Sequence, residues 1–478
     1  MLSAIILSGS ILVTHAPGWS EPMITVDMWS YFSGQSKTIQ IIGSDTLHQS
    51  WDSFNQDTRI GYKVYLPDGS VVYPETMISN NAWSINPTSS LLGTDSISII
   101  WRQGGPAYYT VREDDGSEVV PTSLYIPDPW PISPNVCSSS DSLGRIHSCF
   151  VISDAGTNRV CYGVFEPGGG ELWRDTIPGS HSIPRILVDG SRVHIVFRGE
   201  DLWPDYIQYD LEGNITVSTV SLIEDLLQFS HSFTLALDSD RNLFCFLQIT
   251  DDLTGNRITL FKLDGETGEI LISDKVISSE GNRQCQQILP TPEGDSFYLM
   301  WTAPMEGGSP RHIKFAIIDT DGNFIEEPYS AYDYSDEEVQ NLEVLTSTTN
   351  EDGDIFAIWS QGDVEIGGYW IVMGWFDHNW VGIEECEGEP EYSGDIDLHP
   401  SMNPFTESVS MIVDVDPAPE QLTVYDLSGR IVRTLFRGAD GTFLWDGCDS
   451  YGNEVPAGNY IVRANSEHQS APIQIVKI

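Results

Sequence analysis

Apolar and polar residues alternate along the chain in short runs, and these runs form a unit that recurs. Each unit has a strand-like segment ending in a large aromatic residue, then a polar loop, a second run, a glycine-containing turn and a third run. The first segment is clearest at residues 97–101, 297–301 and 355–359. Such runs, with Asp-Gly or Glu-Gly turns between them, predict antiparallel strands joined by hairpins. No long apolar face with the helical period of about 3.6 residues is present, so we predict an all-β chain.

The aromatic residues that end the first segments recur at intervals of 47 to 58 residues, and we call them anchors: Trp51, Trp101, Phe150, Phe197, Phe246, Trp301 and Trp359. A period of about 50 residues with three or four strands per unit is typical of a β-propeller, whose sheets cover each other's apolar faces around an axis. We therefore predict a propeller of roughly seven blades over residues 17–383. The segment from Met23 to Ile42 either completes the last blade or forms one itself. In layout this part resembles the sialidase-like propellers, but their Asp-box motif has no clean match.

The composition changes after Trp380. Glu384, Glu385, Glu387 and Glu389 mark an acidic linker, to which we assign residues 384–396. Residues 397–478 then contain their own strand-like runs at 409–415, 422–427, 431–435, 442–445, 460–464 and 473–478. In the second of these runs apolar and polar positions alternate with a period of two, which is the pattern of a strand in a β-sandwich.

Short motifs in this last part carry a family resemblance: Asn403, Pro404 and Phe405; Tyr425, Asp426 and Gly429; Trp445, Asp446 and Gly447; Gly452; Gly458 and Tyr460. Their order and spacing resemble the FlgD-like immunoglobulin-type domain, which overlaps the C-terminal sorting domains of type IX secretion. The resemblance implies a domain of exported proteins that a secretion or attachment machinery recognises. The same residues also have a structural interpretation, because Asp446-Gly447 favours a turn while Trp445 and Tyr460 supply core area.

The chain has 70 acidic and 23 basic residues, and this excess of negative charge restricts the classes of partner that it can bind. Such a surface repels nucleic-acid phosphates and anionic lipid heads, so we expect neither as a partner, whereas extracellular glycans and proteins remain compatible. An apolar run from Leu2 to Val13 followed by small residues resembles a signal peptide, which we assign to residues 1–16. No apolar stretch is long enough for a transmembrane segment. We therefore predict a secreted or cell-surface protein of the bacterial outer envelope.

Cysteine and histidine positions give two further expectations. Cys149 and Cys161 flank one predicted hairpin, and Cys386 and Cys448 could join the linker to the last domain, so each pair is a candidate disulfide. Buried thiols acting as small apolar side chains are the alternative. His48, His147 and His194 each lie three residues before an anchor. Because the position repeats from unit to unit, we expect a packing role for these histidines.

Metal and catalytic motifs are sparse. Alternating Asp and Asn at residues 238–242, 319–323 and 350–354 could place oxygens around calcium, and Asp319, Asp321 and Asn323 are our candidate ligands. Ordinary hairpin turns explain the same runs. No cofactor is required, and no GxSxG elbow, HExxH motif or phosphate loop is found.

Ligand-binding candidates come from the residues that follow the anchors, because equivalent loops of a propeller gather at one end of its axis. These candidates are Asp52, Arg102, Arg198, Glu200, Asp201 and Trp203. Charge beside an aromatic ring suits a sugar or a peptide. We favour a non-catalytic binding or adhesion role. The alternatives are a glycoside hydrolase or lyase in which the two arginines grip an acidic substrate, and an envelope scaffold without a small ligand.

Overall fold

The structure is a computed structural model, and every secondary-structure element among the residues that it describes is a β-strand. It describes residues 13–16, 18–20, 22–28, 37–42, 46–53, 58–79, 84–126, 132–154, 157–201, 203–223, 233–251, 255–279, 286–304, 310–334, 339–363, 369–378, 397–400, 406, 408–414, 421–426, 431–438, 442–448, 455–464 and 473–477. These residues contain no helix with the length and apolar character that a membrane crossing requires.

The chain divides into two compact units, Met1–Asn379 and Trp380–Ile478. The strands of the first unit are β1 (Val13–His15), β2 (Met23–Met28), β3 (Lys37–Ile42), β4 (Thr46–Ser53), β5 (Arg59–Tyr65), β6 (Val71–Met77), β7 (Ser84–Leu92), β8 (Ser96–Gln103), β9 (Ala107–Glu113), β10 (Glu118–Ile126), β11 (Ile132–Ser140), β12 (Ile146–Asp154), β13 (Thr157–Phe165), β14 (Glu171–Thr176), β15 (Ser180–Asp189), β16 (Arg192–Gly199), β17 (Pro204–Asp210), β18 (Ile215–Ser221), β19 (Phe233–Leu237), β20 (Leu243–Asp251), β21 (Gly255–Leu263), β22 (Ile270–Ser278), β23 (Gln286–Pro290), β24 (Ser296–Pro304), β25 (Pro310–Asp319), β26 (Phe324–Tyr334), β27 (Val339–Thr349), β28 (Ile355–Asp363) and β29 (Tyr369–Phe376).

Antiparallel sheets follow one another along the first unit, and we call them blades 1 to 7. Blades 1 to 6 are β3–β6, β7–β10, β11–β14, β15–β18, β19–β22 and β23–β26, and blade 7 combines β27, β28 and β29 with β2. Within each blade the strands pair in chain order, except that β2 takes the fourth place in blade 7. β1 adds a fifth strand to blade 6, with Val13 opposite Tyr334. Residues 1–12 of the expected signal peptide lie outside the described residues.

The blades close into a ring. The first strand of each blade contacts the first strand of the next, and β27 of blade 7 contacts β3 of blade 1. The N-terminal strand β2 pairs with β29, where Met23 lies opposite Met373, so both ends of the unit build blade 7. Of the two alternatives for the segment from Met23 to Ile42, its first part therefore completes the last blade and its second part, β3, begins blade 1. The predicted all-β propeller is confirmed.

Six of the seven anchors occupy one equivalent position on the second strand, where each packs against the preceding blade. Trp51 shares a core cluster with Ile358 of blade 7, and Trp101 shares one with Tyr62 of blade 1. Burying one face of each sheet against its neighbour is the main favourable term of such a ring. Phe246 is the exception, because it packs toward blade 6 and its neighbour Leu247 faces blade 4. The anchor of blade 5 is thus Leu247, and the assignment of Phe246 was wrong by one residue.

Glycines in the turns between third and fourth strands let neighbouring blades approach each other. Gly116 of blade 2 has a φ of +83°, and a Cβ atom there would lie 2.6 Å from Cβ of Tyr73 in blade 1. Gly213 of blade 4 has a φ of +89°, and its Cβ would lie 2.9 Å from the ring of Trp173 in blade 3. Only glycine meets both the positive φ and the close approach.

The three repeated histidines are buried within their blades, which confirms their packing role. Nδ1 of His147 lies 2.7 Å from the Tyr162 hydroxyl, and its Nε2 lies 3.2 Å from Asp141. His194 repeats this arrangement with Tyr206 and Asp189, at 2.9 and 3.4 Å. His48 lies 2.7 Å from the hydroxyl of Tyr62. In each case a histidine of the second strand bonds to a tyrosine of the third.

The expected disulfide between Cys149 and Cys161 is contradicted by the strand register. Cys149 lies opposite Tyr162, and Cys161 lies opposite Phe150. Neighbouring positions on paired strands point to opposite faces of the sheet. Accordingly, Cys149 packs in the cluster between blades 3 and 4, whereas Cys161 packs in the cluster between blades 2 and 3. Cys386 lies outside the described residues, as does the acidic linker 384–396.

The second unit contains two sheets with one shared core. Its strands are β30 (Asp397–Pro400), β31 (Val409–Asp414), β32 (Gln421–Asp426), β33 (Ile431–Phe436), β34 (Phe443–Trp445), β35 (Gly458–Ala464) and β36 (Ile473–Lys477). One sheet has the order β30-β31-β34 and the other the order β33-β32-β35-β36. Met411, Leu422, Trp445 and Val462 belong to the core cluster between them. Six of these strands lie within one or two residues of the ranges that the sequence predicts.

Polar contacts hold the Trp445-Asp446-Gly447 turn of this unit. Nε1 of Trp445 donates to the carbonyl of Cys448 at 2.9 Å, and Arg433 pairs with Asp446 at 2.9 Å. The buried Lys477 donates to the carbonyls of Val455 at 2.6 Å and Gly447 at 3.3 Å. Of the motif residues, the following lie outside the described part of the chain: Asn403, Pro404, Phe405, Gly429 and Gly452.

Candidate ligand-binding end of the ring

Neighbouring strands within each blade are antiparallel, so successive turns lie at alternate ends of the ring. Turns between second and third strands lie at one end, together with the links from one blade to the next. We call this end the arginine end, because its turns follow the strand positions of Arg102 in β8 and Arg198 in β16. The two residues occupy the same position, directly after the anchors of blades 2 and 4. Since an anchor faces the preceding blade, the residue after it faces the following blade.

Both arginines are half-buried and lack a carboxylate partner among the described residues. Nη2 of Arg102 donates to the carbonyl of Gly104, at 3.2 Å, in its own turn. Nε of Arg102 and Nε of Arg198 are buried without a hydrogen-bond partner in the described part of the chain. Burial lowers the pKa of each guanidinium below its usual value. Each group has therefore lost part of its hydration without gaining a counter-charge.

Asp52 holds the equivalent position in blade 1, but its surroundings differ. It is fully buried, and its Oδ2 accepts a hydrogen bond from the backbone N–H of Asn86 at 3.3 Å. Asn86 has a φ of +55° beside a bulge in the first strand of blade 2. Asp52 thus bridges blades 1 and 2 and supports an irregular inner strand at the arginine end.

The turn between β16 and β17 brings four predicted site residues together. The backbone N–H of Gly199 donates to the carbonyl of Trp203 at 2.8 Å, which closes the turn. Within it Glu200 and Asp201 are exposed, Trp203 is half-buried, and Arg198 precedes them on the strand. The N–H of Glu200 donates to the carbonyl of Gly179 at 3.0 Å, at the start of the same blade. Charged side chains and an aromatic ring therefore belong to one turn here, while Arg102 lies on another blade.

Asp205 belongs to the same hairpin and is a residue that sequence reasoning missed. It lies opposite Phe197 on β17, with its carboxylate against Gly199. Burial and the negative charge of Asp201 raise its pKa to about 6, although a hydrogen bond with Ser221 acts in the other direction. One aspartate among many carries no sequence signal, because its pKa depends on how the folded hairpin covers it.

The candidate calcium ligands lie at the other end of the ring, in the turn between β25 and β26. Oδ1 of Asp319 accepts the backbone N–H groups of Asp321 and Asn323 at 2.9 and 2.8 Å, and its Oδ2 accepts the Asn323 amide at 3.0 Å. Oδ1 of Asn323 accepts from Lys275 at 2.9 Å. Among the described residues, no group of three or more His, Cys, Asp or Glu side chains is arranged to hold a metal ion. Calcium binding here stays a prediction.

Comparison with known proteins gives one family match, which covers the second unit. Residues 405–470 match the family model described as the FlgD Ig-like domain. A comparison with curated proteins gave no match. Among solved structures, a fungal alcohol oxidase of the AA5 family in complex with copper is similar, with 14% identity, a TM-score of 0.50 and coverage of 96% of this chain and 99% of that one.

Two further solved structures are similar at lower scores. PorZ, a surface component of the type IX secretion system of Porphyromonas gingivalis, has 10% identity and a TM-score of 0.41, with 92% of this chain and 59% of that chain covered. The β-propeller domain of the Trilobed protease from Pyrococcus furiosus has 10% identity and a TM-score of 0.41, with 72% and 95% covered. At these identities a likeness concerns the fold alone, and we draw no argument from the two lower scores. The chain is a β-propeller followed by a domain of the FlgD Ig-like family at residues 405–470.

Proposed function

We propose that this chain is a secreted or cell-surface protein whose propeller binds a carboxylate-bearing glycan or peptide at the arginine end without catalysing a reaction. The observation that carries the proposal is the pair of half-buried guanidinium groups, Arg102 and Arg198, without a carboxylate partner among the described residues. The chain has 70 acidic residues against 23 basic ones, so an arginine without a carboxylate partner is unexpected.

A ligand carboxylate would supply the missing counter-charge. A guanidinium binds a carboxylate through two parallel N–H···O bonds, and such charge-assisted bonds are stronger where water is partly excluded. The surrounding acidic surface repels anions at long range, so it favours ligands whose carboxylate is attached to a neutral body. Sugars and peptides fit this description. The half-buried Trp203, in the turn that follows Arg198, offers an apolar surface for such a body.

The FlgD Ig-like domain supports the extracellular part of the proposal. The resemblance of this domain to the sorting domains of type IX secretion implies recognition by an export or attachment machinery. We therefore propose that the second unit exports or anchors the chain while the propeller binds. Asp446, in one of the motifs that carry this resemblance, forms a partly exposed ion pair with Arg433.

A glycan array and a peptide array with the full chain test the binding function. We expect binding to glycans or peptides with a free carboxylate and weaker binding to neutral ones. Exchanging both arginines (Arg102→Gln with Arg198→Gln) should weaken binding at least tenfold. Arg174→Gln, which removes an arginine paired with Glu171 on an outer strand, is the matched control and should bind like the wild type. Equal binding of neutral ligands, or an unaffected double variant, would contradict the proposal, and no binding at all would favour a scaffold role.

A glycoside hydrolase or lyase is the second candidate, and Asp205 is the observation that favours it. A carboxyl group with a pKa of about 6 can exchange a proton near neutral pH, as a general acid or base does. Incubating the wild type and an Asp205→Asn variant with the array ligands separates the candidates. Cleaved product that disappears in the variant would establish catalysis, whereas intact ligand with both proteins supports the binding function.

A further inference from the structure

Two cysteines face each other on the inner strands of blade 3. Cys137 on β11 and Cys149 on β12 are directly opposite partners in the antiparallel register. Both belong to the core cluster between blades 3 and 4, so their side chains point to the same face of the sheet. Cys149 is fully buried, whereas Cys137 keeps 8% of its surface exposed.

The register satisfies the geometric requirement of a disulfide. Directly opposite residues of an antiparallel pair have Cα atoms about 4.5 to 5.5 Å apart, and disulfides occur at Cα separations of about 4.4 to 6.8 Å. Cys161 fails this requirement for Cys149, because it lies on the neighbouring register position and faces blade 2. Cys245 belongs to blade 5.

The two thiols also interact electrostatically. Burial by itself raises the pKa of Cys137, but a hydrogen bond from the Cys149 thiol and the charge of Arg185 bring that pKa below its usual value. Burial and the neighbouring Cys137 raise the pKa of Cys149. Cys137 is thus the better nucleophile of the pair and the one with some exposure.

We propose that Cys137 and Cys149 form a cross-strand disulfide when the folded protein meets an oxidising environment that contains small disulfides. The Cys137 thiolate attacks one sulfur of the external disulfide, which forms a mixed disulfide and releases one thiolate. Cys149 then loses its proton and attacks the sulfur of Cys137, which forms the Cys137–Cys149 bond and releases the second thiolate. The pair loses two electrons and two protons, and the external disulfide is reduced to two thiols.

Such a bond joins the two innermost strands of blade 3, beside the first strand of blade 4. It depends only on the strand register of the ring, and not on the ligand proposed for the arginine end. Disulfides persist outside the cytoplasm, so an exported chain would carry this bond in its working state.

Tryptic mapping of the purified full-length protein tests this inference, because arginines separate the three cysteines of the blade. Cleavage at Arg112, Arg145, Arg159 and Arg174 places Cys137, Cys149 and Cys161 on peptides 113–145, 146–159 and 160–174. The protein is incubated with oxidised glutathione, denatured with an alkylating reagent and digested without reductant. We expect the mass of 113–145 joined to 146–159, which reductant separates.

Matched variants complete the experiment. Cys161→Ser should leave the joined peptide unchanged, and Cys149→Ser should abolish it. The wild-type map is decisive even if a variant fails to fold. A bond between 146–159 and 160–174, a lasting glutathione adduct on Cys137, or full alkylation of both thiols after oxidation would overturn the inference.

Discussion

The turn glycine of blade 2 offers a direct measure of how tightly the blades pack, because the chain contains a matched control for it. In a Gly116→Ala variant the new methyl group would meet Cβ of Tyr73 at 2.6 Å, and a Cβ atom cannot rotate away from the contact. Gly93, in another turn of blade 2, has a φ of +70° with no atom within 4 Å of its Cβ position. Both substitutions impose the positive φ on alanine, but only Gly116→Ala pushes blades 1 and 2 apart.

Gly116→Ala incurs the costs of both the positive φ and the contact with Tyr73, whereas Gly93→Ala incurs only the cost of the positive φ. A left-handed conformation costs a non-glycine residue roughly 1–2 kcal/mol, and overpacking a closed contact costs roughly 1–3 kcal/mol more. Urea unfolding of the full chain, followed by tryptophan fluorescence, should therefore show Gly93→Ala about 1–2 kcal/mol below the wild type and Gly116→Ala about 2–5 kcal/mol below it. If the two variants lose the same stability, the turn of blade 2 does not press on blade 1 and the packing argument fails.

Three further predictions concern other parts of the chain. Burial lowers the pKa of His48 to about 4, so the folded protein favours the neutral ring. This preference contributes at most about 3 kcal/mol to the free energy of unfolding. The contribution is present above pH 6.5 and is lost as the pH falls toward 4. Urea midpoints at pH 7 and pH 4.5 should therefore lie closer together in His48→Gln than in the wild type, and an unchanged gap would contradict this. Lys477→Met should destabilise the second unit by about 1–3 kcal/mol, because the carbonyls of Val455 and Gly447 lose a buried donor. Hydrogen exchange of the backbone amides in β35 and β36 should then be faster than in the wild type. Unchanged exchange rates would contradict this prediction. If the turn at Asp319 binds calcium, millimolar calcium should raise the melting temperature relative to a chelator in the wild type but not in Asp319→Asn, and identical melting in both solutions would refute calcium binding.

The repeat allowed the ring to be predicted because its anchors mark one position in each blade. Trp51, Trp101 and Trp359 could be placed from spacing alone, since a large aromatic residue ends the strand-like run in each case. In blade 5 this logic failed, because the aliphatic Leu247 holds the anchor position and the aromatic residue before it, Phe246, faces the other neighbouring blade. Which of Phe246 and Leu247 faces blade 4 is therefore settled only by packing.

The regular repeat also allowed the positions of two candidate site residues to be predicted. Counting one residue past each anchor placed Arg102 and Arg198 at the same end of the ring. The burial of Asp52 against Asn86 could not be foreseen, because it depends on a bulge in the neighbouring blade. The raised pKa of Asp205 likewise arises from the folded hairpin. The predicted disulfide between Cys149 and Cys161 was wrong because two cysteines in one hairpin need not face each other. The register of β12 and β13 places their side chains on opposite faces of the sheet.

Closure of the ring by the N-terminal strand is the claim on which the geometry of the arginine end depends, and cysteine cross-linking tests it most directly. Met23 of β2 lies opposite Met373 of β29, and both pack in the cluster between blades 7 and 1. A Met23→Cys, Met373→Cys variant should form a disulfide on mild oxidation of the folded protein, detected as a reducible link between the two tryptic peptides. Met23→Cys with Trp375→Cys, two positions out of register, should not form one. An absent link in the first variant, or an equal yield in both, would contradict the closed ring.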